Sequence, residues 1–221
     1  MNEMQPKPTV PPPGRRAAGE DPAKREQILD GAKEVFMEQG FEAASMNDIT
    51  RAAGVSKGTI YVYFENKEDL FGAMIERERE RITATVGNTL DAARPVAETL
   101  FAFGTLFAAH LTADTTIRAM RMVIAANHRL PTLCSRFFSS MRINPVSVLQ
   151  AYLDGQAAAG AIACDDTVHA AKQFIELTTV GFFKQRLFGS LDQPPTKAEI
   201  EQNVASAVRV FLAAYGRVTS A

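Results

Sequence analysis

The sequence predicts an all-α protein. Three observations carry that reading. Hydrophobic residues make up 46% of the chain, with Ala and Leu plentiful. No stretch alternates Val, Thr and Tyr with polar residues. Apolar residues recur instead three and four apart, between Gly, Pro and Asp punctuation. A chain of 221 residues is long enough to bury a substantial core. Its formal net charge of -1 neither demands nor excludes a polyanionic partner, because groove binding depends on where basic groups sit. The cysteines, Cys134 and Cys164, lack C-x-x-C or Cys/His ligand spacing. No disulfide framework, metal site or cofactor is therefore expected. The N-terminus lacks the apolar core of a signal peptide, and the stretch Leu100 to Leu111 is too short to cross a bilayer. A cytoplasmic protein without a membrane partner is expected.

Residues 1–20 contain Pro6, Pro8, Pro11, Pro12 and Pro13 with Arg15 and Arg16, a composition that favours an extended arm outside the fold. Asp21 followed by Pro22 reads as a helix start, with a side-chain acceptor at the cap and a fixed φ in the first turn. Ile28, Leu29, Ala32, Val35 and Phe36 then form one apolar face that ends at Gly40. Ser45 and Asp48 have capping-box spacing, and Ile49, Ala52 and Ala53 supply a short second face that Gly54 stops. Ser56 caps a third helix running to about Phe64, with Ile60 and Phe64 directed inward. Asn66 with Asp69 opens a fourth, in which Leu70, Phe71, Met74 and Ile75 precede the charged run Glu76 to Arg81.

Beyond Pro95, five longer helices are expected near 96–112, 115–128, 132–159, 166–188 and 197–215, separated by turn-forming clusters. Pro145 requires the 132–159 segment to be kinked or divided. The organisation is an arm (1–20), a three-helix helix-turn-helix unit (21–70) and a larger helical domain (71–221).

Two short helices across a tight turn are the geometry that lets the second enter the major groove of DNA. Along the third helix, Lys57, Thr59 and Tyr61 suit a phosphate, a base edge and a thymine methyl, and Gly58 allows close backbone approach. Tyr63 can reach a phosphate through its hydroxyl, and Lys67 stands beside the free amides opening the fourth helix. Residues 22–70 nevertheless hold six cations against nine anions. Binding must therefore rest on local placement of charge, with the arm's arginines able to assist.

The stretch SMNDITRAAGVSKGTIYVYFENKEDLF, together with REQILDGAKEVFMEQGFEAAS before it, resembles the helix-turn-helix signature of TetR-family regulators over roughly residues 24–75. The resemblance implies a DNA-binding transcription regulator and a non-enzymatic one. The family's base- and phosphate-contacting positions fall here on Ser45, Thr50, Lys57, Gly58, Thr59, Tyr61, Tyr63 and Lys67. The remainder resembles the family's variable ligand-binding and dimerisation domain. RMVIAANHRLPTLCSRFF is similar to AcrR-like C-terminal domains, although Asn127 stands where an acidic residue is common.

An effector cavity could be lined by Phe101, Phe103, Phe107, Met120, Met122, Phe137, Phe138 and Met141, since rings and flexible thioethers suit varied ligands. Core packing explains the same residues. Arg118 and Arg121, three apart, suit an anionic effector group or a solvated, salt-bridged face. The apolar stripes of the last two helices (Val168, Ala171, Ile175 and Leu187, then Ile200, Val204, Ala207, Val208, Phe211, Leu212 and Tyr215) suggest a four-helix interface with a second copy. Burial within one chain is the alternative. The expected function is a dimeric repressor released from a palindromic operator in double-stranded DNA by a small apolar or aromatic effector. A helical interaction or ligand-binding module without DNA contact is the rival. An enzyme is disfavoured by the lack of G-x-S-x-G, Walker and dinucleotide fingerprints.

Overall fold

The computed structural model describes residues 21–127 and 144–217. They form helices α1 (Pro22–Ala43), α2 (Met46–Ala52), α3 (Lys57–Tyr63), α4 (Lys67–Gly87), α5 (Val96–Thr112), α6 (Asp114–Ala126), α7 (Pro145–Ala158), α8 (Thr167–Thr178), α9 (Phe183–Phe188) and α10 (Lys197–Tyr215). The only β pairing among them is an isolated antiparallel bridge between Ile162 and Gly216. The arm, Cys134 and the first part of the expected 132–159 helix lie outside the described residues, as do Phe137, Phe138 and Met141.

Local chemistry sets the helix starts. Asp21 accepts from the Ala23 amide ahead of Pro22, and Ser45 with Asp48 closes a complete capping box. Ser56 and Asn66 each accept from the amide three residues on. Helix α1 does not end at Gly40. That glycine, at φ 79, kinks the helix, and a further turn carries Phe41 into the core. Within the expected 132–159 segment a helix starts at Pro145, which stands in the first turn of α7 behind an Asn144–Ser147 capping box. The expected 166–188 helix is two, because the chain leaves helical geometry after Thr178 and Gly181 takes φ 81.

Two cores follow. In the head, Phe36 meets Phe71 edge-on at 5.0 Å and Phe41 lies 4.9 Å from Phe71, among Ile28, Leu29, Ile49, Ile60 and Leu70. Each such fully buried ring or branched chain contributes about 1.5–3 kcal/mol relative to exposure. Val123 and Ala126 of α6 complete this core, so the head is closed by a helix from the larger domain. The second core gathers Val86, Leu100, Phe103, Leu149, Leu153, Phe174, Val204 and Phe211. Helix α4 enters both, through Leu70 to Ile75 at one end and Val86 at the other. A division at residue 70 therefore falls inside α4. Between these ends the buried Arg77 reaches Glu26 at 3.1 Å and Asp30 at 2.9 Å, binding α4 to α1.

Most of the stripe on the last helices is spent inside one chain. Ala171, Ile200, Val204, Ala207, Val208 and Phe211 are buried in the second core. Val168, Val180, Phe188 and Val210 remain exposed. Periodicity had located an apolar face correctly without revealing what covers it.

Candidate functional site

The turn between α2 and α3 is held from both sides. Gly54 adopts φ 62, its amide donates to the Arg51 carbonyl at 3.2 Å, and the Val55 amide reaches the Thr50 carbonyl at 3.1 Å. The Gln27 side-chain amide donates to the Ala53 carbonyl at 2.7 Å. Below the turn, α1 and α2 approach so closely that a Cβ on Gly31 would lie 2.5 Å from the Ala53 nitrogen. These contacts fix where α3 leaves the head.

Helix α3 then divides as its period requires. Ile60 and the following Phe64 are buried, while Lys57, Gly58, Tyr61 and Val62 face solvent. Thr59 is half-buried, with its hydroxyl 2.7 Å from that of Ser56. Tyr63 is half-buried against the head core. On α2, the Ser45 hydroxyl donates to Asp48 at 2.5 Å, which together with the Ser45 amide holds the Asp48 carboxyl below its ordinary pKa. Thr50 is half-buried and donates its hydroxyl to the Met46 carbonyl at 2.5 Å.

Lys67 has a different setting from the one anticipated. Its ammonium donates to the carbonyls of Phe41, Glu42 and Ala44 at 2.7, 3.2 and 3.0 Å, and sits 4.5 Å from the centre of the Phe41 ring. It closes the C-terminal end of α1, where a cation also meets the negative end of the helix dipole. Sequence reasoning passed over Val62, Asn47 and Arg51, all exposed on α2 and α3. The signal that could have found them is helical spacing, since Asn47 stands three residues before Thr50 and Val62 three after Thr59, while Arg51 adjoins Thr50.

Among the described residues, a cavity of about 620 Å³ lies against the underside of the head. Its wall includes Met37 of α1, Met74 and Ile75 of α4, Phe107 of α5, Val123 of α6 and Ile175 of α8. Lys33 and Glu78, paired at 2.7 Å, and His110 form a polar portion. Burial depresses the His110 pKa, opposed by the charge of Glu78 and reinforced by that of Lys33. Of the residues expected here, Phe107 and Met120 line the cavity. Phe103 is fully buried in the second core, and Met122 packs against the head core. Arg118 and Arg121 line a separate cleft beside Asp114 and Arg186. There Arg121 donates to the carbonyls of Leu187 and Arg186 at 2.9 and 2.7 Å.

This arrangement, a short outward-facing helix after a tight turn on a small all-helical head, defines a helix-turn-helix DNA-binding protein. Residues 28–74 match the family model for bacterial regulatory proteins of the tetR family, and residues 98–217 match the model for the C-terminal domain of AefR-like transcriptional repressors. The chain belongs to the TetR family of transcriptional regulators, and is a DNA-binding regulator rather than an enzyme. The transcriptional repressor AcnR of Corynebacterium glutamicum is 38% identical over 71 residues, covering 32% of this chain and 38% of that repressor. The curated relatives are thus matched over about a third of their length. A TetR-family regulator from Mesorhizobium loti superposes with a TM-score of 0.82 at 24% identity, over 88% of this chain and 98% of that one. The flavonoid-responsive regulator FrrA superposes at 0.69 with 28% identity, over 90% and 99%. No single helix among the described residues is long and apolar enough to cross a membrane.

Proposed function

We propose that the protein is a dimeric repressor that binds a near-palindromic operator and is released when a small apolar or aromatic effector enters the cavity beneath the head. The observation that carries this reading is the shared wall. Met74, Ile75 and Val123 belong to the head core and also line the cavity. A ligand that wedges these residues changes the seating of α4 and α6 against the head. It thereby favours a placement of the two reading helices unsuited to the operator. The mostly apolar wall with the His110 and Lys33–Glu78 portion suits a flat or branched apolar body carrying one or two polar groups. FrrA's response to flavonoids supports an aromatic effector. The exposed Val180, Phe188 and Val210 on the last three helices and their connections provide apolar anchors for a second copy. In the operator complex Ser45, Thr50, Lys57, Gly58, Thr59, Tyr61, Tyr63 and Lys67 are the positions proposed to lie at or beside DNA.

The test is selection of bound duplexes from a random pool, then operator affinity measured with and without members of an aromatic small-molecule panel. A palindromic site whose affinity falls at least tenfold with a panel member is expected. An Ile75→Trp variant, which fills the cavity wall, should blunt that response. A ligand that tightens DNA binding would overturn the release mechanism, and a folded protein that selects no site would overturn operator binding.

A further inference from the structure

The outward face of α3 carries an apolar group with no hydrogen-bonding atom. Val62 is 49% exposed, beside Tyr61 at 46%. Both stand on a helix whose sequence, KGTIYVY, holds no Arg, Asn, Gln, Asp or Glu. The side chains that pair bidentately with adenine, or accept from cytosine, are therefore missing from α3, and Lys57 alone can address guanine as a cation. The Thr59 hydroxyl is engaged with Ser56, and Ile60 and Phe64 are committed to the head core. What the helix offers the groove is chiefly apolar. The one apolar group that a base pair offers in the major groove is the C5-methyl of thymine.

We infer that Val62, together with Tyr61, reads thymine methyl groups, and that these contacts determine much of the operator sequence. The inference rests on the reading of α3 as the helix that enters the groove. Adjacent on the helix but on different bearings, the two side chains would cover different base positions of one half-site. Burying the exposed isopropyl group against a methyl removes both from water. A base without that methyl leaves the contact unfilled. The partner this surface fits is a duplex with thymines at those positions. In this reading Lys57 is spent on a phosphate rather than on a guanine edge.

The experiment replaces each thymine of a selected half-site, one at a time, with deoxyuridine, which lacks only the methyl. Binding by the full-length protein should weaken about fourfold at one or more positions, the equivalent of ~0.8 kcal/mol for a lost methyl contact. Val62→Ala should bind the thymine and uracil duplexes within twofold of each other at one of those positions, with an unchanged thermal midpoint because the side chain is exposed. Lys57→Ala should keep the thymine-to-uracil ratio while weakening every duplex, with a salt slope shallower by about 0.9. Equal binding of thymine and uracil duplexes at every position, with Lys57→Ala still losing affinity, overturns methyl reading and leaves α3 as the reader. Retention of the full ratio by Val62→Ala overturns the assignment to Val62. No loss of affinity in either variant removes α3 from the interface, and the inference with it.

Discussion

Replacing Gly31 with alanine inserts a methyl where α1 and α2 lie closest. The new Cβ would stand 2.5 Å from the nitrogen, 2.7 Å from the Cα and 2.7 Å from the Cβ of Ala53. Ordinary van der Waals contact begins near 3.4 Å, so the deficit is roughly 0.7–0.9 Å, and two of the three obstructing atoms are backbone that no rotamer change can move. Overpacking a rigid contact costs about 1–3 kcal/mol. The upper end applies here, because Ala53 immediately precedes the left-handed Gly54 and its carbonyl is held by Gln27. Against this, alanine gains ~1 kcal/mol in helix propensity over glycine. The net expectation is a loss of about 2 kcal/mol, or roughly 4–8 °C in the thermal midpoint for a chain of this size. Urea denaturation followed by far-ultraviolet circular dichroism measures it, with operator affinity as a second readout. That affinity should fall beyond what the unfolded fraction explains, since the displacement is passed through the turn to α3. A variant as stable as the parent, with unchanged operator affinity, would refute the close packing of α1 on α2.

Lys67→Met should remove the ammonium from three carbonyls at the end of α1, costing about 1–2 kcal/mol for a half-exposed, charge-assisted cluster. The salt slope of operator binding is expected to remain unchanged, because those acceptors already engage the ammonium. A slope shallower by about 0.9 at an unchanged midpoint would return this residue to phosphate binding. Arg186 is 3% exposed and donates to Thr112, Leu191 and Asp192 carbonyls and to the Asp114 carboxylate. Arg186→Met strands these acceptors and should cost about 2–4 kcal/mol in a thermal melt, and a loss under 1 kcal/mol would contradict the network. Burial lowers the His110 pKa, so near and below pH 6.5 the unfolded chain takes up the proton more readily. Stability should therefore be fully present above that value and decline as pH falls through the window beneath it. His110→Gln should flatten this part of the pH profile of the thermal midpoint. The lower-pH losses attached to Asp48 and Glu199, whose pKa values Ser45 and Thr196 depress, should remain.

The helix starts were legible because caps are local chemistry. Asp21–Pro22, Ser45 with Asp48 and Asn66 with Asp69 all form the expected amide bonds. The inward placement of Ile60 and Phe64 was legible too, since period alone determines which side of a short helix is apolar. What covers an apolar face depends on distant residues. Hence Val204 and Phe211 read as a surface for a second copy and are core, while Phe103 read as a candidate cavity residue and is packed against Phe107 and Phe174. The break after Thr178 was missed because its punctuation is slight, a single glycine at 181 with left-handed φ. Lys67 illustrates a further limit. An ammonium near free amides suggests an anion site, but the carbonyls it binds come from residues 23–26 positions earlier, a pairing that sequence spacing does not encode.

Closure of the head by Val123 and Ala126 bears on exchanging parts between such regulators. A graft that stops at the end of α4 would carry α1 to α4 onto a foreign α6, whose side chains must fill the same hollow in the head core or leave it open. Functional chimeras should therefore depend on transplanting α6 with the head, or on matching its two inward residues in size. Sequence drift on this one helix can make two otherwise similar family members incompatible donors.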